Sequence, residues 1–300
     1  MVITPAVVAL EPRVAAPRVQ IDAHARRSDG AGPAPSLRHT TARIEAAIVV
    51  GLMALAFAVR IPYLMSAPRF TDESIEALHA LAIYADGLRP LTGPEEYIGP
   101  LHAYLIAAVL WVAGPSPAIP RLVSLVAGVL TVAATYALAR QLGGRPAGIV
   151  AGLLLSVLPL HVTVNSHVGW SSCLTPLVTT GAVLLLLRGR AGYAALGAGV
   201  ATGLAIQTHP SAVALVPAIV TWLLLADGRA AWSRLVVVGI GVVGGVAPLL
   251  AFNLTSGFAS VTEAWRWRAI YEDDAPVSTS GAFENVQRLL LAEARILGGD

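Results

Sequence analysis

The chain has 300 residues, of which 56% are hydrophobic and only 13% are charged, and its formal net charge is +2. Soluble domains carry roughly 25% charged residues, so the lipid bilayer is the natural solvent for most of this sequence. The small net charge and the lack of a basic groove exclude a nucleic-acid partner, and the single cysteine, Cys173, excludes an internal disulfide.

Residues 1–42 differ from everything that follows. They are rich in proline and arginine and contain no apolar run long enough to bury. This composition predicts a disordered tail. A signal peptide is not indicated, because no basic start is followed by an apolar core of about 7–15 residues.

The apolar segments predict seven membrane-crossing helices. Such a helix needs about 20 mostly apolar residues, with a range of about 17–25. The segments are 44–64, 119–140, 146–162, 173–188, 191–208, 211–226 and 233–252. An eighth run, 101–113, would cover only about 20 Å of a core that is about 30 Å thick. We therefore expect it to lie at the membrane surface.

Arginine placement supports this count. Short loops rich in arginine stay on the cytoplasmic side. With 101–113 at the surface, the basic tail and the loops after spans 2, 4 and 6 all lie on one side. The sequence thus predicts an all-α integral membrane protein with a cytoplasmic N-terminus, a membrane module over 43–252, and an external loop at 65–118 that contains juxtamembrane helices. We expect 253–300 to be an external segment of a chain that continues, because it stops in a helix-like pattern without a cap.

The predicted topology gathers polar residues at the outer membrane surface. Three different connections contribute them: Asp72, Glu73, Glu95, Glu96, His102, His167 and His209. Ionisable residues in such a sequence are functional candidates by default. This convergence is the main functional signal.

Asp72 and Glu73 directly precede the helix-like segment 74–86, with Thr71 or Asp72 as its candidate N-cap. They can be a helix start, since acids are favoured in the first turn. They can also be catalytic, since a carboxylate at the water–lipid boundary can act as a general base or hold a metal ion. The two interpretations are compatible.

The other candidates divide in the same way. Glu95 and Glu96 are either a solvated loop or acids that reach Asp72, and Asp72 with Glu96 could share a cation. His102 is either a residue with a wet polar tip or a substrate contact. His167 could contact a phosphate, whereas His209 is either a turn residue before Pro210 or part of the lining of a substrate pocket.

Five short motifs, in this order along the chain, carry a resemblance to a known family. They are FTDES at 70–74, GPLHAYL at 99–105, PRLVS at 120–124, and NSHVGW at 165–170 followed by QTHPS at 207–211. This arrangement resembles the GT-C membrane glycosyltransferases, in the branch that contains protein O-mannosyltransferases and bacterial aminoarabinose transferases. The resemblance covers about residues 44–252.

The resemblance implies an enzyme that moves a sugar from a polyprenyl-phosphate carrier to a protein, lipid or glycan acceptor at the non-cytoplasmic face, with inversion. It implies a location in the bacterial inner membrane, a catalytic Asp72 with Glu73 beside it, and a divalent cation, Mg or Mn, where a metal is needed. Arg69 and Arg121 are the candidates for the donor phosphate, although arginines that reach the lipid headgroups would look the same. The turn at 165–170 departs from the family pattern, because it has His167 and no acid.

Two other functional classes stay open. A transporter or flippase could use the same external acids, but such proteins usually hold their ionisable groups near the midplane, and the predicted spans are almost free of charge there. A non-catalytic membrane subunit is the third possibility.

Overall fold

The computed structural model describes residues 35–66, 71–189, 192–228, 231–274 and 291. Residues 45–300 form one compact unit, and the contacts below lie within it. The described residues form helices and no strand. The helices are α1 (Pro35–Arg60), α2 (Thr71–Asp86), α3 (Leu101–Ala113), α4 (Ile119–Val157), α5 (Pro159–His167), α6 (Thr175–Leu187), α7 (Gly192–Thr208), α8 (Leu215–Asp227), α9 (Ala231–Gly245), α10 (Ala247–Ser256) and α11 (Ala259–Asp274). Most of the predicted tail lies outside the described residues, and so does Arg69.

Proline and glycine set several of the helix boundaries. Helices α4, α5, α6 and α10 have proline in their first two positions, where its missing N–H costs nothing. Helix α4 is broken at Gly143 and Gly144, and Gly144 has φ +79°, which favours glycine. Its 39 residues are therefore two helical segments that meet at a sharp bend.

Among the residues that the structure describes, three stretches of helix are long and apolar enough to cross a membrane. They are Ala42–Tyr63, Ile119–Val157 and Pro210–Asp227, and the pair Ala231–Gly245 and Ala247–Ser256, bent by 69°, makes a fourth if it is one span. The remaining predicted spans correspond to shorter helices or to the second segment of α4 with α5. The count of seven spans stays a prediction.

The first loop contains the two predicted juxtamembrane helices. Between the first long helix and α4, the chain forms α2 and then α3, which has 13 residues and the predicted bounds 101–113. Buried residues of both helices pack together, with Ala80 and Ile83 of α2 against Ile106 and Leu110 of α3. The expected all-α membrane bundle with helices in its first loop is confirmed.

A buried arginine joins the end of α1 to the end of α4. The Arg60 side chain is fully buried. It donates from Nη1 to the Ala56 carbonyl at 2.8 Å and the Ser156 carbonyl at 3.0 Å, and its Nη2 lies 2.7 Å from His161 Nδ1. Carbonyls at helix C-termini carry partial negative charge, and this charge stabilises the buried guanidinium.

Glycines allow α7 and α9 to cross closely. A Cβ on Gly203 would lie 2.5 Å from the Val242 carbonyl oxygen, and one on Gly241 would lie 2.8 Å from the Val200 nitrogen. Small residues at a crossing let two backbones approach and gain van der Waals contact in lipid. A methyl group added to Gly239, on the same helix as Gly241, would meet nothing within 4 Å.

We expect Gly241→Ala to destabilise the protein and Gly239→Ala to be neutral or stabilising. The first methyl group meets backbone, and overpacking of this kind costs about 1–3 kcal/mol. The second gains up to about 1 kcal/mol of helix propensity. Thermal unfolding in detergent measures both variants, and equal effects would show that the crossing is looser than described.

Candidate active site

The first turn of helix α2 buries Glu73 and leaves the preceding acid, Asp72, partly exposed. Its buried face consists of Glu73, Glu76, Ala80 and Ile83, at the spacing of three or four residues that keeps side chains on one side of a helix. Asp72, one residue before, is partly exposed. Both acids of the first turn benefit from the positive end of the helix dipole, so the helix start predicted from the sequence is present. The two acids differ in burial, because Glu73 is buried and Asp72 is partly exposed.

Glu73 forms a buried ion pair with Arg121 at the start of α4. The Arg121 Nε atom donates to both carboxylate oxygens at 3.0 Å, and both side chains are at most 1% exposed. The Gly169 N–H donates to Glu73 Oε2 at 3.0 Å, and Arg121 Nη1 donates to the Leu64 carbonyl at 3.0 Å. Four parts of the chain therefore meet at one carboxylate–guanidinium pair.

A second buried acid repeats this arrangement one turn later. Glu76 Oε1 accepts a hydrogen bond from the Ser171 N–H at 2.9 Å, and Oε2 contacts Nδ1 of His102. His102 is only 1% exposed. The sequence favours a His102 ring whose polar end lies in water. In the structure the ring is instead buried and contacts Glu76.

Gly169 is the residue that lets the turn after α5 reach α2 and α4. A Cβ at this position would lie 2.7 Å from the carbonyl carbon of Pro120 and 2.9 Å from the Arg121 nitrogen. Glycine thus allows two stretches of backbone to approach. As a result, the Gly169 and Ser171 N–H groups point at the two buried acids.

Asp72 makes no hydrogen bond or ion pair with any described residue. It lies near Glu95, which belongs to the loop between α2 and α3. Burial raises the pKa of Glu95 above its ordinary value, and the charges of Glu76 and Asp72 raise this pKa further. The structure therefore brings Asp72 and Glu95 into one acidic neighbourhood at the start of α2.

Glu96 is placed differently from Glu95. Its side chain is exposed, and its backbone carbonyl accepts a hydrogen bond from Ser260 Oγ at the start of α11. The turn is closed by the Gly93 N–H, which donates to the Ile98 carbonyl at 2.7 Å. Glu95 is thus the member of the pair that faces inward.

His167 and His209 have local partners. The His167 ring stacks on Tyr63 with centroids 5.2 Å apart, and its Nδ1 lies 2.9 Å from Ser166 Oγ. His209 caps the short helical turn that begins at Pro210, with Nδ1 accepting from the Ser211 N–H at 3.2 Å. His209 therefore acts as the turn residue of the first interpretation.

No group of three or more His, Cys, Asp or Glu side chains within the described ranges could hold a metal ion. The charge of Asp72 acts on Glu95, as the raised pKa of Glu95 indicates. Crowded negative charge of this kind fits a hard divalent ion that takes its other ligands from water and from a substrate phosphate. The Glu96 side chain is exposed, whereas the charge of Asp72 acts on Glu95, and a cation shared by Asp72 and Glu96 stays a prediction.

An apolar cavity of about 460 Å³ adjoins the start of α2. Ser74, two residues after Asp72, lies on its wall together with Leu78 and Leu81 of the same helix, and α3 and the 115–120 segment close the other side. The cavity offers a hydrocarbon chain a place beside the acidic neighbourhood.

Several residues of this site were missed from the sequence. Glu76 received no role, although it lies three residues after Glu73 and so must share its helix face. The two backbone donors at Gly169 and Ser171 carry no side-chain signal, apart from the glycine itself.

Comparison with known proteins places this architecture in a family. The family described as dolichyl-phosphate-mannose-protein mannosyltransferase matches residues 95–252, more than half of the chain. A comparison with curated protein sequences gave no match.

Solved structures with the same fold include ArnT from Cupriavidus metallidurans bound to undecaprenyl phosphate. It has a TM-score of 0.56 and 18% identity, and the match covers 76% of this chain and 44% of that one. The oligosaccharyltransferase of Archaeoglobus fulgidus matches twice. The structure tethered to an acceptor peptide has a TM-score of 0.52, 14% identity, and coverage of 85% and 37%. The complex with Zn and sulfate has a TM-score of 0.52, 17% identity, and coverage of 84% and 39%.

The chain therefore spans less than half the length of these proteins, and at these identities the likeness concerns the fold alone. Together with the family match, which includes the loop of Glu95 and the turn of Gly169, it gives one assignment. The chain belongs to the dolichyl-phosphate-mannose-protein mannosyltransferase family of GT-C glycosyltransferases.

Proposed function

We propose that this protein transfers a sugar from a polyprenyl-phosphate carrier to a protein, lipid or glycan acceptor, at the non-cytoplasmic face of a bacterial inner membrane. The observation that carries the proposal is the position of Asp72. It is a partly exposed carboxylate without a hydrogen-bond partner among the described residues, next to a second acid and an apolar cavity.

Asp72 serves as the general base. It removes the proton from an acceptor hydroxyl or amine, and the freed electron pair attacks the anomeric carbon of the donor sugar. The bond from this carbon to the phosphate oxygen breaks, and the lipid phosphate leaves with the electron pair. Direct displacement inverts the anomeric configuration.

The sequence suggests that Glu73 shares the catalytic role of Asp72, but we propose a different role for Glu73. Its two oxygens are occupied by Arg121 and the Gly169 N–H, and it is fully buried. Glu73 is therefore a positioning residue, which holds the start of α2 and with it Asp72. Arg121 is neutralised in the same pair, so it contributes little to holding a donor phosphate.

The donor fits the start of α2 by chemistry. Its hydrocarbon chain would occupy the apolar cavity lined by Leu78 and Leu81. Its phosphate would lie near the helix N-terminus, where backbone N–H groups and the dipole favour an anion. Arg69 and His167 remain candidates for the same phosphate.

A divalent cation, which the resemblance implies, would be held by Asp72 and Glu95. When bound, it would stabilise the negative charge that grows on the leaving phosphate. Glu95 contributes by its carboxylate, and burial beside Asp72 and Glu76 disfavours its charged form until a cation or a proton is present.

Asp72→Asn should lower the rate of sugar transfer by roughly 10²–10⁴, because the substitution keeps the shape and removes the base. Thermal stability should change little, since the side chain has no hydrogen-bond partner among the described residues. Asp86→Asn, the same change at the exposed end of α2, is the matched control and should retain full activity. The assay uses the product of the complete gene in detergent micelles with polyprenyl-phosphate sugars and cell-derived acceptors.

Micelles also separate this proposal from transport, because no ion gradient can exist in them. Near-normal transfer by Asp72→Asn would show that Asp72 is not the general base and only favours the start of helix α2. Absence of donor consumption in micelles, together with gradient-dependent and Asp72-dependent solute uptake in sealed vesicles, would replace the enzyme with a transporter.

Glu95→Gln should lower transfer and raise the melting temperature. Because the pKa of Glu95 is raised on folding, its ionisation destabilises the folded state as pH rises above the unfolded pKa. Removing the charge abolishes this penalty, so the stabilisation should be seen at pH 7 and vanish at low pH. Glu96→Gln, the exposed neighbour, should change neither quantity. Equal loss of transfer in both variants would contradict the assignment of Glu95.

A further inference from the structure

A second cavity, with both charged and apolar walls, lies among α1, α4 and α6, far from the candidate active site. It has a volume of about 560 Å³. Its position along α4 is that of Arg140, nineteen residues after Arg121, or about 28 Å along a helix. The mechanism above uses none of its residues.

One carboxylate organises the charge of this cavity. Glu45 Oε2 lies 2.9 Å from Arg140 Nε, and Oε1 lies 2.8 Å from Arg145 Nε and 2.7 Å from its Nη2. The buried Tyr136 hydroxyl donates to the same carboxylate. Glu45 therefore fixes two guanidinium groups in place, while Arg140 and Arg145 remain 46% and 40% exposed.

The other guanidinium group at the cavity belongs to Arg188. Arg188, at the end of α6, also lines the cavity and is exposed. Its side chain makes no hydrogen bond or ion pair with any described residue. The cavity is thus lined by one acid, Glu45, and two arginines, Arg140 and Arg188. Because Arg145 also binds Glu45, positive charge exceeds negative charge at this place.

The remaining walls are apolar. Val49 and Val50 of α1 and Leu184 of α6 line the cavity below the charged groups. The Gln141 side-chain amide donates to the Leu187 carbonyl at 2.7 Å and so joins the first segment of α4 to the end of α6. A cationic rim above an apolar wall matches a molecule with an anionic head and a hydrocarbon chain.

We propose that this cavity binds the headgroup of an anionic phospholipid. The phosphate would take the free N–H groups of Arg140 and Arg188, since guanidinium groups recognise phosphate by charge-assisted hydrogen bonds. The acyl chain would run along Val49, Val50 and Leu184. Free phosphate shares the headgroup chemistry but leaves the apolar wall unused, which is why the lipid is favoured.

Native mass spectrometry of the full chain in detergent tests this site, with phosphatidylglycerol, phosphatidylcholine and inorganic phosphate as probes. The wild type should retain phosphatidylglycerol in preference to phosphatidylcholine. Arg188→Gln should weaken this preference about fivefold, and Arg140→Gln with Arg188→Gln about thirtyfold, at about 1 kcal/mol for each arginine. Arg188→Gln removes no hydrogen bond or ion pair to a described residue, so its fold should be intact. Arg89→Gln, which removes an exposed arginine from the loop after α2, is the control and should bind as the wild type does.

Three results would overturn the proposal. Retention of the full phosphatidylglycerol preference by the double variant would show that the cavity is not the site. A loss in Arg89→Gln equal to that in Arg188→Gln would show an effect of net charge alone. Displacement of the lipid by millimolar inorganic phosphate would identify a free anion as the ligand. None of these outcomes bears on the glycosyltransferase proposal.

Discussion

The buried pair of Glu73 and Arg121 is the contact on which the proposed active site depends. Each side chain is at most 1% exposed, and two uncompensated charges at such a place would each cost several kcal/mol. The pair is stabilised further because the Gly169 N–H donates to Glu73 and the Leu64 carbonyl accepts from Arg121. Through these bonds the end of the first long helix, the starts of α2 and α4, and the turn after α5 are held together.

The acids in the first turns of α2 differ in their surroundings. Glu73 and Glu76 lie on the buried face of α2 and bind the rest of the protein, whereas Asp72 lies about 100° around the helix and stays accessible. A general base needs a free carboxylate in a fixed place. In the proposed mechanism the buried acids fix the place, and the position of Asp72 on the helix leaves its carboxylate partly exposed. Glu95 adds crowded negative charge, a local cost in stability that is common where function is served.

The sequence was sufficient for what depends on local pattern. Apolar run length and the glycine–proline breaks predicted α3 with its bounds, and the acids of the first turn marked the start of α2. Long-range pairing could not be predicted in this way. Nothing in the sequence indicates that Arg121 faces Glu73 rather than a phosphate, or that His102 turns toward Glu76, because both contacts depend on how α2 packs. Glu76 was within reach of helical periodicity, and the role of Gly169 became visible only when Pro120 was placed against it.

A double-mutant cycle on the ion pair tests the central claim most directly. Glu73→Gln and Arg121→Met should each reduce the free energy of unfolding by about 3–5 kcal/mol, because each leaves the partner's charge buried and alone. The double variant should lose much less than the sum, since neither charge remains. Single variants that unfold within about 0.5 kcal/mol of the wild type, with additive effects in the double variant, would show that this pair does not hold the site together.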